Sequence, residues 1–139
     1  MTLEFFAEDL EMPDFKQNQL EKVLTFLVQN ENYQSGDINV IFCSDSYLLK
    51  INETYLNHNY FTDIITFDYV EDNIISGDLF ISLDRIKENA DKYADNFFQE
   101  LYRVVIHGVL HLCGYKDKSE SEKIEMRAKE NQDLDYAGK

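Results

Sequence analysis

The sequence predicts a single α/β domain of the α+β type, a small mixed four-stranded sheet packed with about five helices. Three observations predict it. The chain has 139 residues, enough for one domain with one substantial core. Apolar runs with strand-like period alternate along it with apolar residues at helical spacing. One proline and five glycines leave little for long linkers, and no internal repeat divides the chain. Residues 1–139 are therefore read as one domain.

Each element has its own signal. Leu3 and Phe5 mark a short first strand. After Asp14, the residues Leu20, Val23, Leu24, Leu27 and Val28 share one helix face. Gln34, Ser35, Gly36 and Asp37 read as a turn, followed by a mostly buried strand in which Ile38, Val40 and Phe42 alternate with Asn39, Ile41 and Cys43. Ser44 is placed to cap a helix carrying Leu48, Ile51 and Tyr55 inward. Residues 62–69, rich in β-branched and aromatic types, form a strand. Glu71, Asp72 and Asn73 turn the chain into residues 74–81, and so short a link makes the pair an antiparallel hairpin. Ser82 opens a helix with Leu83, Ile86, Ala90, Tyr93 and Ala94 inward. Asn96 with Gln99 is a capping-box start for the next helix, whose stripe of Phe97, Leu101, Val104, Val105, Gly108 and Leu112 makes it central and buried. Ser119 with Glu122 starts a last, solvated helix to about Asn131, and the tail from Asp133 frays.

The chemistry-bearing stretch lies in the central helix. Two of the three histidines, His107 and His111, stand four residues apart in an apolar run. On a helix that spacing projects both imidazoles from one face, so both can reach one ion. The run stops at Gly114, suited to the left-handed conformation that ends helices. A reversal there swings Asp117 back toward the histidines. Two nitrogens and a carboxylate, with a fourth position open, is a catalytic zinc arrangement rather than a closed structural one. A peptidase of the H-E-x-x-H type is disfavoured, because Gly108 stands where that chemistry needs its glutamate.

The stretch resembles the signature of the YbeY family of metal-dependent endoribonucleases, H-G-x-L-H-L-x-G-Y-D-H. His107, Gly108, Leu110, His111, Leu112, Gly114 and Tyr115 match in register, and the family's third histidine falls on Asp117, an ordinary zinc ligand type. The segment from Thr62 to Phe67 is similar to the family's T-D-V-L-S-F, and Gly77, Asp78 and Leu79 to its G-D-I. The resemblance implies one zinc ion per chain on His107, His111 and Asp117. It also implies cleavage of single-stranded RNA, maturation of the small-subunit ribosomal RNA 3′ end, ribosome quality control, and the ribosome or its proteins as partners. In the family an arginine follows the tyrosine that maps to Tyr55; here Leu56 stands in its place. His58, two residues on, is the candidate replacement as a phosphate donor, and Asp63 the candidate for orienting a histidine or moving a proton. An exposed loop histidine and a strand-start aspartate bonded to local backbone are the blander readings of these two.

Composition bounds the rest. A net charge of −14 opposes broad binding to a polyanion, so an RNA enzyme of this composition depends on its metal, a local basic patch or a partner. Arg103 and Lys116 are the basic residues nearest the motif, though such charges are commonly just solvated. The acidic N-terminus is no signal peptide, no apolar run approaches the roughly 18 residues of a membrane span, and Cys43 and Cys113 form no metal or redox motif. A cytoplasmic protein is expected, with Cys113 a core thiol. A metal hydrolase of another substrate and a non-catalytic ribosome-assembly factor with a structural metal remain the rival functions.

Overall fold

The computed structural model describes residues 2–93 and 96–137. Its elements run β1 (Thr2–Ala7), α1 (Gln17–Asn30), β2 (Gln34–Cys43), α2 (Asp45–Leu56), β3 (Ile64–Asp68), β4 (Ile74–Ser82), α3 (Leu83–Lys92), α4 (Phe97–Leu112) and α5 (Glu120–Ala137). The four strands form one mixed sheet in the order β1-β2-β4-β3. The β1–β2 and β2–β4 pairs are parallel, and β3 pairs antiparallel with β4. The parallel steps follow from the helices that intervene in sequence, and the antiparallel one from the tight turn at Asp72, whose φ is 54°.

Side-chain alternation splits the core in two. On one face Ile38, Val40, Phe42, Leu79 and Ile81 join Leu20, Leu24 and Leu27 of α1 and Leu101, Val105 and Val109 of α4. On the other, α2 covers Cys43 and Ile65 with Leu48 and Ile51. Neighbours Ile64 and Ile65 of β3 thus pack into different clusters, as a period of two requires. The helix starts expected at Ser44, Ser82 and Asn96 are capped by those side chains. At α5, Ser119 and Glu122 each accept the other's backbone N–H, a reciprocal capping box.

The structure corrects several local expectations. The turn before β2 lies at Glu31 and Asn32, where Asn32 takes a φ of 65°, and Gln34 already belongs to the strand. Gly36 instead marks a register irregularity between Ser35 and Ile38, where a Cβ would sit 2.5 Å from the Ile75 carbonyl oxygen. Tyr55 and Tyr93 are exposed rather than inward, because each falls past the stripe its helix buries. Ala94 lies outside the described residues. The last helix does not stop near Asn131 but continues to Ala137, burying Met126, Glu130, Asp133 and Leu134.

Candidate metal centre

Helix α4 is the platform. It packs against β3, β4, α1, α3 and α5, and it lies tight against the sheet at Gly108, where a Cβ would stand 2.7 Å from Ile64 Cδ1 and 3.1 Å from Leu79 Cδ1. The missing side chain sets the helix low over the sheet and holds His107 and His111 at its rim, both half-buried.

The helix ends as expected at Gly114, with φ at 98°. Tyr115 N–H donates to the Leu110 carbonyl at 3.1 Å and Gly114 N–H to the His111 carbonyl at 3.0 Å. These are the paired bonds of a Schellman termination. The reversal returns Asp117 to the histidines: its Oδ2 lies 3.2 Å from His107 Nε2 and 3.4 Å from His111 Nε2, and the two Nε2 atoms are 3.0 Å apart. Tetrahedral zinc with bonds of about 2.0–2.1 Å places neighbouring donors about 3.3 Å apart, so the three atoms fit one ion.

The far ring nitrogens are also engaged. His111 Nδ1 donates to the Tyr115 carbonyl at 2.9 Å. His107 Nδ1 donates to Glu130 Oε2 at 2.7 Å. With a proton on each Nδ1, both Nε2 atoms present lone pairs to the common centre. Arg103 Nη1 holds the other Glu130 oxygen at 2.9 Å. Burial works against a charged His107, but the Glu130 hydrogen bond and charge, with Asp117 and Asp63 behind them, win and raise its pKa above the ordinary value. Burial likewise pushes Glu130 up, yet its bonds from His107 and Arg103 hold it below the usual carboxylate range. The centre therefore draws positive charge, as a cation site should.

A cleft of about 650 Å³ joins the triad to the α2–β3 loop, lined among others by Leu56, His58, Tyr60, Asp63 and Lys118. Asp63 thus lies beside the triad, and burial raises its pKa above the usual range, against the charge of His107. His58 lines the same cleft, with Nδ1 3.0 Å from the Tyr60 hydroxyl. Arg103 is committed to Glu130 and Asn131, and Lys116 is exposed outside the cleft lining. Cys113 is a core thiol, with burial pushing its pKa up to about 12. Glu130 escaped the sequence reading; its signal was its place midway between Met126 and Leu134, on the one face α5 buries.

Comparison with known proteins agrees with this fold. A family model described as "Endoribonuclease YbeY" matches residues 3–138. The chain is 45% identical over 134 residues to an Endoribonuclease YbeY of Parabacteroides distasonis, covering 96% of this chain and 94% of that one. It is 47% identical over 135 residues to that of Azobacteroides pseudotrichonymphae, covering 97% of each. The solution structure of TM1509 from Thermotoga maritima superposes with a TM-score of 0.68 at 26% identity, over 98% of this chain and 89% of that one. The chain belongs to the YbeY family of endoribonucleases, hydrolases of RNA phosphodiester bonds.

Proposed function

We propose that the chain cleaves single-stranded RNA with one zinc ion held by His107 Nε2, His111 Nε2 and Asp117 Oδ2. Its role in the cell is maturation of the small-subunit ribosomal RNA 3′ end and ribosome quality control, in the cytoplasm and in contact with the ribosome. The observation carrying the metal reading is the convergence of three donor atoms within 3.0–3.4 Å while both Nδ1 protons are spent on fixed acceptors. Zinc, when bound, supplies a Lewis acid that lowers the pKa of water and offsets phosphoryl charge.

The chain's own residues do the rest. Glu130 and the Tyr115 carbonyl hold the two imidazoles in one tautomer and orientation, so no rotamer is lost when the ion arrives. Asp63, with its pKa raised by burial beside His107 and Asp117, keeps a proton more readily than an exposed carboxyl. That suits it to hand a proton to the oxygen leaving phosphorus. Ribosomal contact brings an acidic chain to its polyanionic substrate. The cytoplasmic assignment rests on two free, buried cysteines; no described helix is long and apolar enough to cross a membrane.

The test is elemental analysis of the purified chain and of Asp117→Ala, followed by cleavage assays on single-stranded and duplex RNA. About one zinc per wild-type chain, lost in the variant together with cleavage confined to single strands, is expected. Zinc retained without Asp117, or equal cleavage of duplex RNA, overturns the reading.

A further inference from the structure

The loop between α2 and β3 has an unusual surface for so acidic a chain. Tyr55 and Leu56 at the end of α2, and Tyr60 and Phe61 in the loop that follows, are all exposed. Two of these have structural work: Tyr55 packs edge-on against Phe67, and Phe61 lies under Arg85, which is tied to Asp45. Tyr60 instead stacks on His58, with ring centroids 5.1 Å apart and planes 21° from parallel. Both rings line the cleft that also contains His107, His111 and Asp117.

The pair is held in place from below. Asn52 is a polar residue buried at 1% exposure near the end of α2. Its carbonyl accepts the backbone N–H groups of Asn57 and His58. Its side-chain Nδ2 donates to the Tyr60 carbonyl at 2.9 Å. Asn57, in the left-handed region with φ at 56°, makes the bend between them. One buried residue, through its backbone carbonyl and its side-chain amide, thus clamps both ends of the segment carrying the two rings, so little ordering cost remains when something stacks on them.

Charge offers little grip on this side. The cleft lining carries three carboxylates, Asp63, Asp68 and Asp117, against one lysine, Lys118, and Leu56 adds neither charge nor donor. On the α5 side, Arg103 and Arg127 are paired with Glu130. We propose that the stacked His58–Tyr60 pair, clamped by Asn52 at the mouth of the metal cleft, is a nucleobase platform that holds single-stranded RNA by stacking rather than by phosphate charge. A base is the occupant that suits it, because the platform and the triad line one cavity, so a nucleotide stacked on the rings lies in the same cleft as the metal ligands. The contact of the Tyr60 hydroxyl with His58 Nδ1 at 3.0 Å occupies that nitrogen and leaves Nε2 as the ring atom for a base edge or phosphate oxygen. The inference rests on the nuclease reading and adds how the substrate is held.

The test uses the zinc-loaded, full-length chain and a single-stranded RNA oligomer, with a matched oligomer containing abasic sites. Tyr60→Ala should raise KM roughly tenfold or more for the base-bearing oligomer, with the loss carried by KM rather than kcat. Abasic RNA should bind as poorly to wild type as normal RNA does to the variant. Tyr60→Trp should restore KM, and its tryptophan, in a chain with no other, should be quenched when RNA is added. The Tyr60→Ala defect should persist at raised salt, since stacking is not screened. A KM within twofold of wild type in Tyr60→Ala, or a defect that vanishes with salt, overturns the platform while the nuclease reading stands. Normal cleavage of free RNA by Tyr60→Ala with loss of ribosome co-sedimentation also overturns it, making the pair a protein contact. Wild-type protein that leaves RNA intact overturns both.

Discussion

Glu130 does for His107 what a backbone carbonyl does for His111. The difference is that a side chain can be replaced. In Glu130→Gln the amide oxygen still accepts from Nδ1–H, but the charge that favours a positive centre and anchors Arg103 is gone. Zinc affinity, measured by competition with a chromogenic chelator, should fall about tenfold or more, with the circular dichroism spectrum unchanged. At this scale His107 and His111 were legible because helical spacing alone aligns them. Asp117 was legible because a helix-ending glycine makes a reversal local. Glu130 is 23 residues from His107, and only the packing of α5 on α4 unites them.

At the scale of elements, the metal helix works because it lies close to the sheet. Gly108→Ala places a methyl 2.7 Å from Ile64 Cδ1 and against both Leu79 methyls. Leu79 is fully buried and cannot yield, while the half-buried Ile64 must swing its terminal methyl aside, so overpacking should cost about 1–3 kcal/mol. Thermal denaturation should show a Tm lower by roughly 3–10 °C. Any outward shift of α4 should also weaken zinc binding, since Asp117 is carried by the following loop rather than by the helix. An unchanged Tm would mean that the helix is not held by this contact. Element boundaries were readable where a side chain caps its own helix, as at Ser44, Ser82 and Ser119. They were misread at Gly36, because a glycine needed for close strand approach looks the same in sequence as a glycine needed for a turn.

For the whole molecule, acidity leaves its mark on stability. Asp133 is buried at 3% exposure where α5 meets α1, and burial, with the charge of Glu31 against that of Lys129, pushes its pKa up to about 7. The unfolded chain loses this proton near its ordinary value of about 4. Between those two values the native state holds more protons, so this group makes stability fall as pH rises from about 4 to about 7, after which the penalty is constant. Asp133→Asn should therefore match wild type near pH 4 and exceed its Tm by roughly 3–8 °C at pH 8. Parallel melting curves across that range check it; a constant offset would show that the carboxyl is not titrating.

The sequence by itself determined the strand and helix order, the capped starts, the two-histidine face, the glycine reversal and the family signature. All of these depend on periods and neighbours within a few residues. The strand order β1-β2-β4-β3, the packing of one face of α5 on its neighbours, the Glu130 bond to His107 and the Asn52 clamp were decided only by the tertiary structure. In each, chain segments distant in sequence, or a buried polar group needing a partner, are satisfied only once the whole chain has packed. The spacing of Met126 and Leu134 marks a face of α5 but not what that face will pack against, and that choice placed the second carboxylate of this site.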